Sequence, residues 1–325
     1  MRDLVSVGRS AISTSNLLLA LVLLAAGLTA LYALARGLLW LVRRGAQRLQ
    51  GPVRVSRHWV RERPVVTLLE SRFPRAFRFV KARLSTRPFT GLPLTLLVIF
   101  AIYLVALFGG LVQELHEAEE LVAMDNAVDR WFDAHRVEPF IGAMVWLTLW
   151  GQGPTITIVG LVASLLWWSS SRGHLVVPFW ICLVGAQVTT WTAKYVIARE
   201  RPGAWDLLDE HSPAFPSGHA TAAISVYGFI AYSVWRTIQT QPRARFEVVF
   251  WGAVAIMLIG FSRIYLSVHF VSDVASGYLV GGFWLAVAVT VTEWRTARRD
   301  GRRTPNGHGA DRGSDRGPPL DLIGT

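Results

Sequence analysis

Apolar runs long enough to cross a bilayer recur along this 325-residue chain, and they restrict its fold more than any other feature. A spanning helix needs about 20 mostly apolar residues. Such runs lie near 16–42, 92–114, 144–168, 175–197, 218–236, 246–265 and 270–292. Within lipid the backbone must satisfy its own polar groups, which leaves helices for runs of this kind. Composition agrees: 52% of residues are hydrophobic, only 17% are charged, and 14 are Trp, a profile unlike that of a soluble globule. The expected fold class is therefore all-α, a polytopic membrane helix bundle of six core helices plus one N-terminal transmembrane helix. Trp150-Gly151-Gln152-Gly153-Pro154 interrupts the third run, so residues 139–150 either lie at the surface or form the first half of a kinked span.

Charge orients the bundle. Residues 43–90 hold 13 Lys or Arg against Glu62 and Glu70, which marks that stretch as cytoplasmic by the positive-inside rule. Alternation from there puts the N-terminus and residues 115–143 outside. The second of these segments is rich in acids (Glu114, Glu117, Glu119, Glu120, Asp125, Asp129, Asp133, Glu138) against Arg130 and Arg136, while the inner loops carry Arg172, Arg236, Arg243 and Arg245. Arg9 ahead of the first apolar run and Ala33-Leu34-Ala35 within it resemble a cleaved leader. The run continues through Val42 into basic sequence, so a retained anchor is expected.

Three polar clusters interrupt the apolar sequence: Lys194 with Arg201-Pro202, then Pro216-Ser217-Gly218-His219, then Ser262-Arg263 with His269 and Asp273. The same count of crossings puts all three on the outer face, so one site can be assembled from them. Guanidinium groups suit phosphate oxygens in bidentate fashion, and an ammonium adds a point charge. Two histidines are then left for proton and phosphoryl chemistry, one attacking as a neutral imidazole and the other donating a proton. Asp273, four residues after His269, stacks on the imidazole if a helix begins there. The blander reading of Lys194, Arg199 and Arg201 is as snorkelling anchors at a helix end. Their position on the cation-poor side speaks against it.

Read together, Lys-x6-Arg-Pro, Pro-Ser-Gly-His and Ser-Arg-x5-His-x3-Asp resemble the tripartite signature of the type-2 phosphatidic acid phosphatase superfamily, over roughly residues 92–292. The resemblance implies His269 as the nucleophile that becomes phosphohistidine, Asp273 as its orienting partner and His219 as the general acid. Lys194, Arg201, Ser217, Gly218 and Arg263 would bind phosphate. It implies hydrolysis of a lipid phosphate or pyrophosphate without a metal or other cofactor, with undecaprenyl pyrophosphate the first choice and phosphatidylglycerol phosphate or phosphatidate as alternatives. A transferase would use the same phosphohistidine. Vanadium haloperoxidases share this site architecture but are soluble, and a transporter has no need of two histidines and an aspartate around three cations.

The expected organisation is an N-terminal transmembrane anchor at 1–43, a basic juxtamembrane segment at 44–90, the phosphatase core at 91–293 and a disordered basic tail at 294–325. Residues 43–90 read either as amphipathic helices against anionic lipid headgroups or as a solvated linker, and no nucleic-acid motif accompanies their charge. Residues 116–135 have apolar residues at helical spacing among acids, which suits an interfacial helix that flanks a lipid entrance or caps the bundle. The loop Gly203–Phe215, with Trp205, Asp206, Asp209, Glu210 and His211, reads mainly as solvated. The single cysteine, Cys182, falls in mid-span and reads as a small buried hydrophobe.

Overall fold

In a computed structural model of the chain, the described residues are 22, 25–45, 47, 70–85, 91–202 and 210–303, and among them there are helices and no strands. Helix α1 covers Ala25–Gly45. It is followed by α2 (Pro74–Leu84), α3 (Leu92–Glu117), α4 (Glu119–His135), α5 (Glu138–Leu149), α6 (Gly153–Ser169), α7 (Val176–Ile197), α8 (Gly218–Thr237), α9 (Pro242–Tyr265) and α10 (Val271–Arg303). Proline in the first turn opens α2, α3, α5, α6 and α9, where its missing N–H has no intrahelical partner to lose.

Among the described residues, five helices are long and apolar enough to cross a membrane: α1, α3, α7, α9 and α10. The pair α5 and α6, bent by 50° across a short break, makes a sixth when counted as one span. Helix α8 falls short on apolarity, and its central place explains why. It packs against α6, α7, α9 and α10, so its surroundings are protein where the other helices meet lipid. It buries Ala220, Thr221, Ala222, Ala223, Ser225 and Val226. The hydroxyls are satisfied on the helix itself, Thr221 Oγ1 donating to the Ser217 carbonyl at 3.0 Å and Ser225 Oγ to the Thr221 carbonyl at 2.7 Å.

Small residues allow the close approach of α8 and α10 that sets the site. A Cβ on Gly281 would stand 2.8 Å from the Thr221 carbonyl oxygen, and one on Gly277 would stand 2.6 Å from that of Ser217. Glycines four apart thus open one face of α10 to the backbone of α8. One end of the bundle is filled by aromatics, with Trp167 edge-on to Phe179 and Phe229 at centroid distances of 5.3 and 5.6 Å. At the other end α4 and α5 cover the α9–α10 turn. There Met144, Tyr265, Leu266 and Val268 pack with Phe132, Phe140 and Ile141, and Arg136 Nη2 donates to Ser267 Oγ at 2.5 Å. Helix α1 docks on α9, where the Tyr32 ring meets Phe250 at 5.2 Å and its hydroxyl donates to Glu247.

One alternative left open by the sequence is decided, and one expected boundary moves. Residues 139–150 are the first half of a bent pair, not a surface stretch. Helix α10 runs ten residues past 293, and Arg236 ties it to α8 where that extension begins, through Glu293 at 2.8 Å and Thr296 at 3.0 Å. The N-terminal residues expected on the outer side, most of the basic segment, residues 203–209 of the acidic loop and the tail after 303 lie outside the described residues.

Adding a methyl at the α8–α10 contact forces the helices apart, which costs about 1–3 kcal/mol in a well-packed interior. Gly281→Ala is therefore expected to lower the thermal midpoint of the detergent-purified protein. Gly109→Ala, where a Cβ meets nothing within 4 Å, serves as the control and should leave that midpoint unchanged or slightly higher.

Candidate active site

The three clusters meet at one end of the bundle, each delivered by a helix terminus. Lys194 lies in the last turn of α7, which stops at Ala198 in the left-handed region (φ 48°) with its N–H donating to the Lys194 carbonyl. The chain then turns back, carrying Arg199 and Arg201 over the bundle. Ser217 precedes the first turn of α8, and its N–H donates to the Asp273 carbonyl at 2.9 Å, tying the second cluster to the third. Arg263 ends α9, and the turn that follows brings the His269 N–H to the Arg263 carbonyl at 3.3 Å.

Arg201 and Arg263 converge on one carboxylate, with Lys194 close by. Glu210 accepts from Arg201 Nη2 at 2.8 Å through one oxygen and from Arg263 Nη2 through the other. Arg201 is further aimed by donation from Nε to the Ser212 carbonyl at 2.7 Å and from Nη1 to the Val268 carbonyl at 2.8 Å. Arg263, fully buried, donates from Nη1 to Thr148 Oγ1 at 2.8 Å. Lys194 donates to the Pro213 carbonyl and to Ser212 Oγ. Burial alone would raise the Glu210 pKa, but Arg263 and Arg201 outweigh it and hold the carboxyl below its ordinary value. Glu210 is thus an ionised anion seated in a cationic cradle.

Both histidines border this cradle. Nε2 of His269 lies 3.4 Å from Arg201 Nη1, and Nδ1 lies 3.5 Å from Asp273 Oδ2. Helix α10 begins at Val271, so His269 sits just ahead of it and Asp273 reaches back, accepting from the Phe270 N–H at 2.8 Å with the same oxygen. Burial, followed by Arg263, Arg201 and Lys194, pushes His269 well below the usual histidine pKa, which leaves it neutral at physiological pH. Ser217 Oγ, His219 Nε2, Arg263 Nε and His269 Nδ1 are buried without hydrogen-bond partners. The first three mark a ligand position, since buried polar groups are otherwise paired, whereas His269 Nδ1 faces Asp273.

Three contributors were not legible as site residues. Thr148 and Gly151 belong to the interruption between α5 and α6, which in sequence reads only as a break. A Cβ on Gly151 would stand 2.9 Å from His219 Cδ2 and 2.8 Å from Ile259, so glycine is what lets the break lie directly against His219. Glu210 reads as a solvated acid. Arg199, outside the tripartite pattern, donates from Nη1 to Asp273 Oδ1 at 2.6 Å and from Nη2 to Asp125 Oδ2 at 2.8 Å. Only the count of cations near Lys194 hinted at it. The eight signature residues, Lys194, Arg201, Ser217, Gly218, His219, Arg263, His269 and Asp273, all fall in this one region.

A cleft of about 680 Å³ extends from the cradle between α6 and α7, reached by Lys194, Glu210, His219 and His269 at one end and lined by Val184, Val188 and Trp191 along its flank. Those three α7 side chains are exposed on the outside of the bundle. Among the described residues no three His, Cys, Asp or Glu side chains form a group that could hold a metal ion.

Residues 174–297 match the PAP2 superfamily. Phosphatidylglycerophosphatase B of Bacillus subtilis is 40% identical over 88 residues, 27% of this chain and 43% of that protein, so the match spans less than half of the relative. An undecaprenyl-diphosphatase of Sulfolobus acidocaldarius is 26% identical over 202 residues, 59% of this chain and 85% of that protein. The crystal structure of a transmembrane PAP2 type phosphatidylglycerolphosphate phosphatase from Bacillus subtilis superposes with a TM-score of 0.51 at 24% identity, over 63% of this chain and 97% of that one, a likeness of fold. All three clusters, from Lys194 to Asp273, fall within the residues 174–297 that match the PAP2 superfamily.

Proposed function

We propose that this chain is a membrane lipid phosphatase that hydrolyses a phosphomonoester or diphosphate through a phosphohistidine. The observation that carries the reading is the junction of a buried three-cation cradle and two histidines with a cleft that leaves sideways along α7. A lipid whose tail stays in the bilayer reaches the cradle through that cleft, its phosphate taking the place of the Glu210 carboxylate on Arg201 and Arg263.

The chemistry follows from the positions. Asp273 holds the Nδ1–H of His269, so the Nε2 lone pair attacks phosphorus and the bond to the leaving oxygen breaks. The doubly charged phosphate favours the protonated form of His219, which gives its proton to that oxygen. Charge on the equatorial oxygens is met by Lys194, Arg201, Arg263, Ser217 Oγ and the N–H groups that open α8, donors already fixed in place. Water then gives its proton to His219 and attacks the phosphohistidine, releasing phosphate and restoring His269. Neutralisation by side chains makes a metal unnecessary.

An isoprenyl diphosphate such as undecaprenyl pyrophosphate is the first substrate to test, because the Sulfolobus acidocaldarius relative named for that activity aligns over more than half of this chain. Phosphatidylglycerol phosphate is second, on the name of the Bacillus subtilis relative, and phosphatidate third. Transfer of phosphate to an alcohol in place of water is separated from hydrolysis by measuring free phosphate against phosphorylated acceptor. The charge pattern favours a site on the outer face, the C-terminus inside, and contact of the basic stretch at 43–90 with anionic headgroups.

Purified protein is expected to release phosphate from such lipids in the presence of EDTA. His269→Ala should abolish turnover of lipid and aryl phosphates alike. His219→Ala should lose about 10²–10⁴-fold on lipid phosphates, the usual contribution of a general acid, yet keep measurable turnover of an aryl phosphate with a good leaving group. Equal losses for both variants on the aryl substrate would contradict the assigned roles.

Sidedness is tested by labelling. In a Cys182→Ser background, Asp133→Cys, exposed at the site end, should react with a membrane-impermeant maleimide in intact cells stripped of outer barriers. Gln241→Cys, exposed where α9 begins at the opposite end, should react only after lysis. The reverse pattern would place the site on the cytoplasmic face.

A further inference from the structure

We infer that Asp125, acting through Arg199, is a positioning residue for the Asp273–His269 pair, an inference that rests on the phosphohistidine reading above. Asp125 lies on α4, some fifty residues ahead of the PAP2 domain, in a segment that reads in sequence as a surface helix. Yet it is only 1% exposed. Its carboxylate accepts from Arg199 Nη2 at 2.8 Å, from the Ser272 N–H at 3.1 Å and from Ser272 Oγ. Arg199 also donates from Nη1 to Asp273 Oδ1 at 2.6 Å and to Ser272 Oγ at 2.7 Å, and its guanidinium lies 4.3 Å over the Phe270 ring. The result is a chain of contacts, Asp125–Arg199–Asp273–His269, drawn from α4, the α7–α8 connection and the start of α10, hydrogen-bonded as far as Asp273 and closed by the 3.5 Å approach of Asp273 Oδ2 to His269 Nδ1.

Stability alone does not account for this arrangement. Two buried carboxylates share one guanidinium, and a buried ionic cluster is seldom more stable than an apolar replacement of similar volume. Its consequence for Asp273 is specific. Arg199 pairs with both acids, so its charge is divided and Asp273 keeps the electron density needed to hold the His269 Nδ1–H and to support the cationic imidazole of the phosphohistidine. With Asp125 neutral, Arg199 would pair with Asp273 alone and draw that oxygen from the ring. Asp125 also fixes the first turn of α10 by accepting from the Ser272 N–H, which sets the distance between Asp273 and His269. The charged groups facing His269 are otherwise Arg201, Arg263, Lys194, Glu210 and His219, and Asp129 stands one turn beyond Asp125 on α4. None of these bridges to Asp273 as Arg199 does.

The test compares full-length wild type with Asp125→Asn, which keeps shape and removes charge, each counted by active sites titrated with orthovanadate. Per site, kcat should fall about tenfold or more, as when the orienting acid of a catalytic histidine is neutralised, while KM stays within about twofold because the cradle is untouched. The acid limb of kcat/KM should move to lower pH, since a negative charge supporting the His269 imidazolium is lost. Ionisation of the substrate is common to both proteins and cancels. Histidine-selective 15N NMR, with His269 assigned by its absence in His269→Gln, gives a readout independent of turnover: Nδ1–H in wild type and a mixture of tautomers in the variant. Unchanged kcat, acid limb and tautomer in Asp125→Asn would overturn the inference. So would a fall in kcat with limb and tautomer unmoved, which is what a structural role alone produces. If Asp125→Asn does not fold, Arg199→Lys, which retains charge but not the fork that reaches both acids, should show the same fall, and wild-type behaviour there would equally overturn it. A wild type inactive on every lipid phosphate would instead refute the phosphatase reading, with the NMR comparison still deciding the role of Asp125.

Discussion

Lys194, Arg201 and Arg263 hold their positive charges close together at one end of a helix bundle, two of them almost wholly buried. Isolated, such charges would each cost several kcal/mol in lost hydration, so their proximity is tolerable only around an anion. In this structure Glu210 is that anion, bound by both guanidinium groups. A phosphate carries more charge and more acceptor oxygens than a carboxylate and fits the forked donors better. On the proposed function, the cradle is held by a weaker ligand that substrate phosphate displaces, and the neighbouring elements keep the cations where they are. Thr148 in the α5–α6 break fixes one Arg263 nitrogen, backbone carbonyls at 212 and 268 aim Arg201, and carbonyl 213 anchors Lys194.

Bringing these groups to one end depends on packing further down. The Ser217 N–H reaches the Asp273 carbonyl only because α8 and α10 lie close, and they lie close because Gly277 and Gly281 present no side chains there. The same closeness sets the start of α10 beside that of α8, so that His269 and His219 flank the cradle from two sides. Polar small residues on α8 give up lipid solubility for close protein contact. That is why the most central helix falls short of the apolarity that marks a membrane span.

Much of this was legible in the sequence. Spacing within the three clusters named all eight signature residues that converge, and apolar run lengths placed the core helices to within a few residues apart from the far end of α10, because both signals are local. What sequence concealed was pairing between distant segments. Asp125 sits among acids whose pattern is that of a solvated helix face, and nothing nearby marks one of them as buried. Glu210 looked solvated for the same reason. Gly151 appeared as a helix breaker, and its closeness to His219 depends on how α5 and α6 bend, which no local pattern encodes. Where α10 passes 293 it is tied to Arg236, some sixty residues earlier.

The claim that the three cations form a phosphate cradle which Glu210 fills is tested most directly by orthovanadate binding to Glu210→Gln. Removing the internal anion leaves Arg201 and Arg263 without their charged partner, so thermal stability should fall, while the affinity for orthovanadate rises by about tenfold, the equivalent of one charge-assisted hydrogen bond no longer in competition. Opposite signs of the two changes, with EDTA without effect on either, are the expected result. A variant that binds orthovanadate no more tightly than wild type, or more weakly, would contradict it and remove Glu210 from the position that substrate phosphate takes.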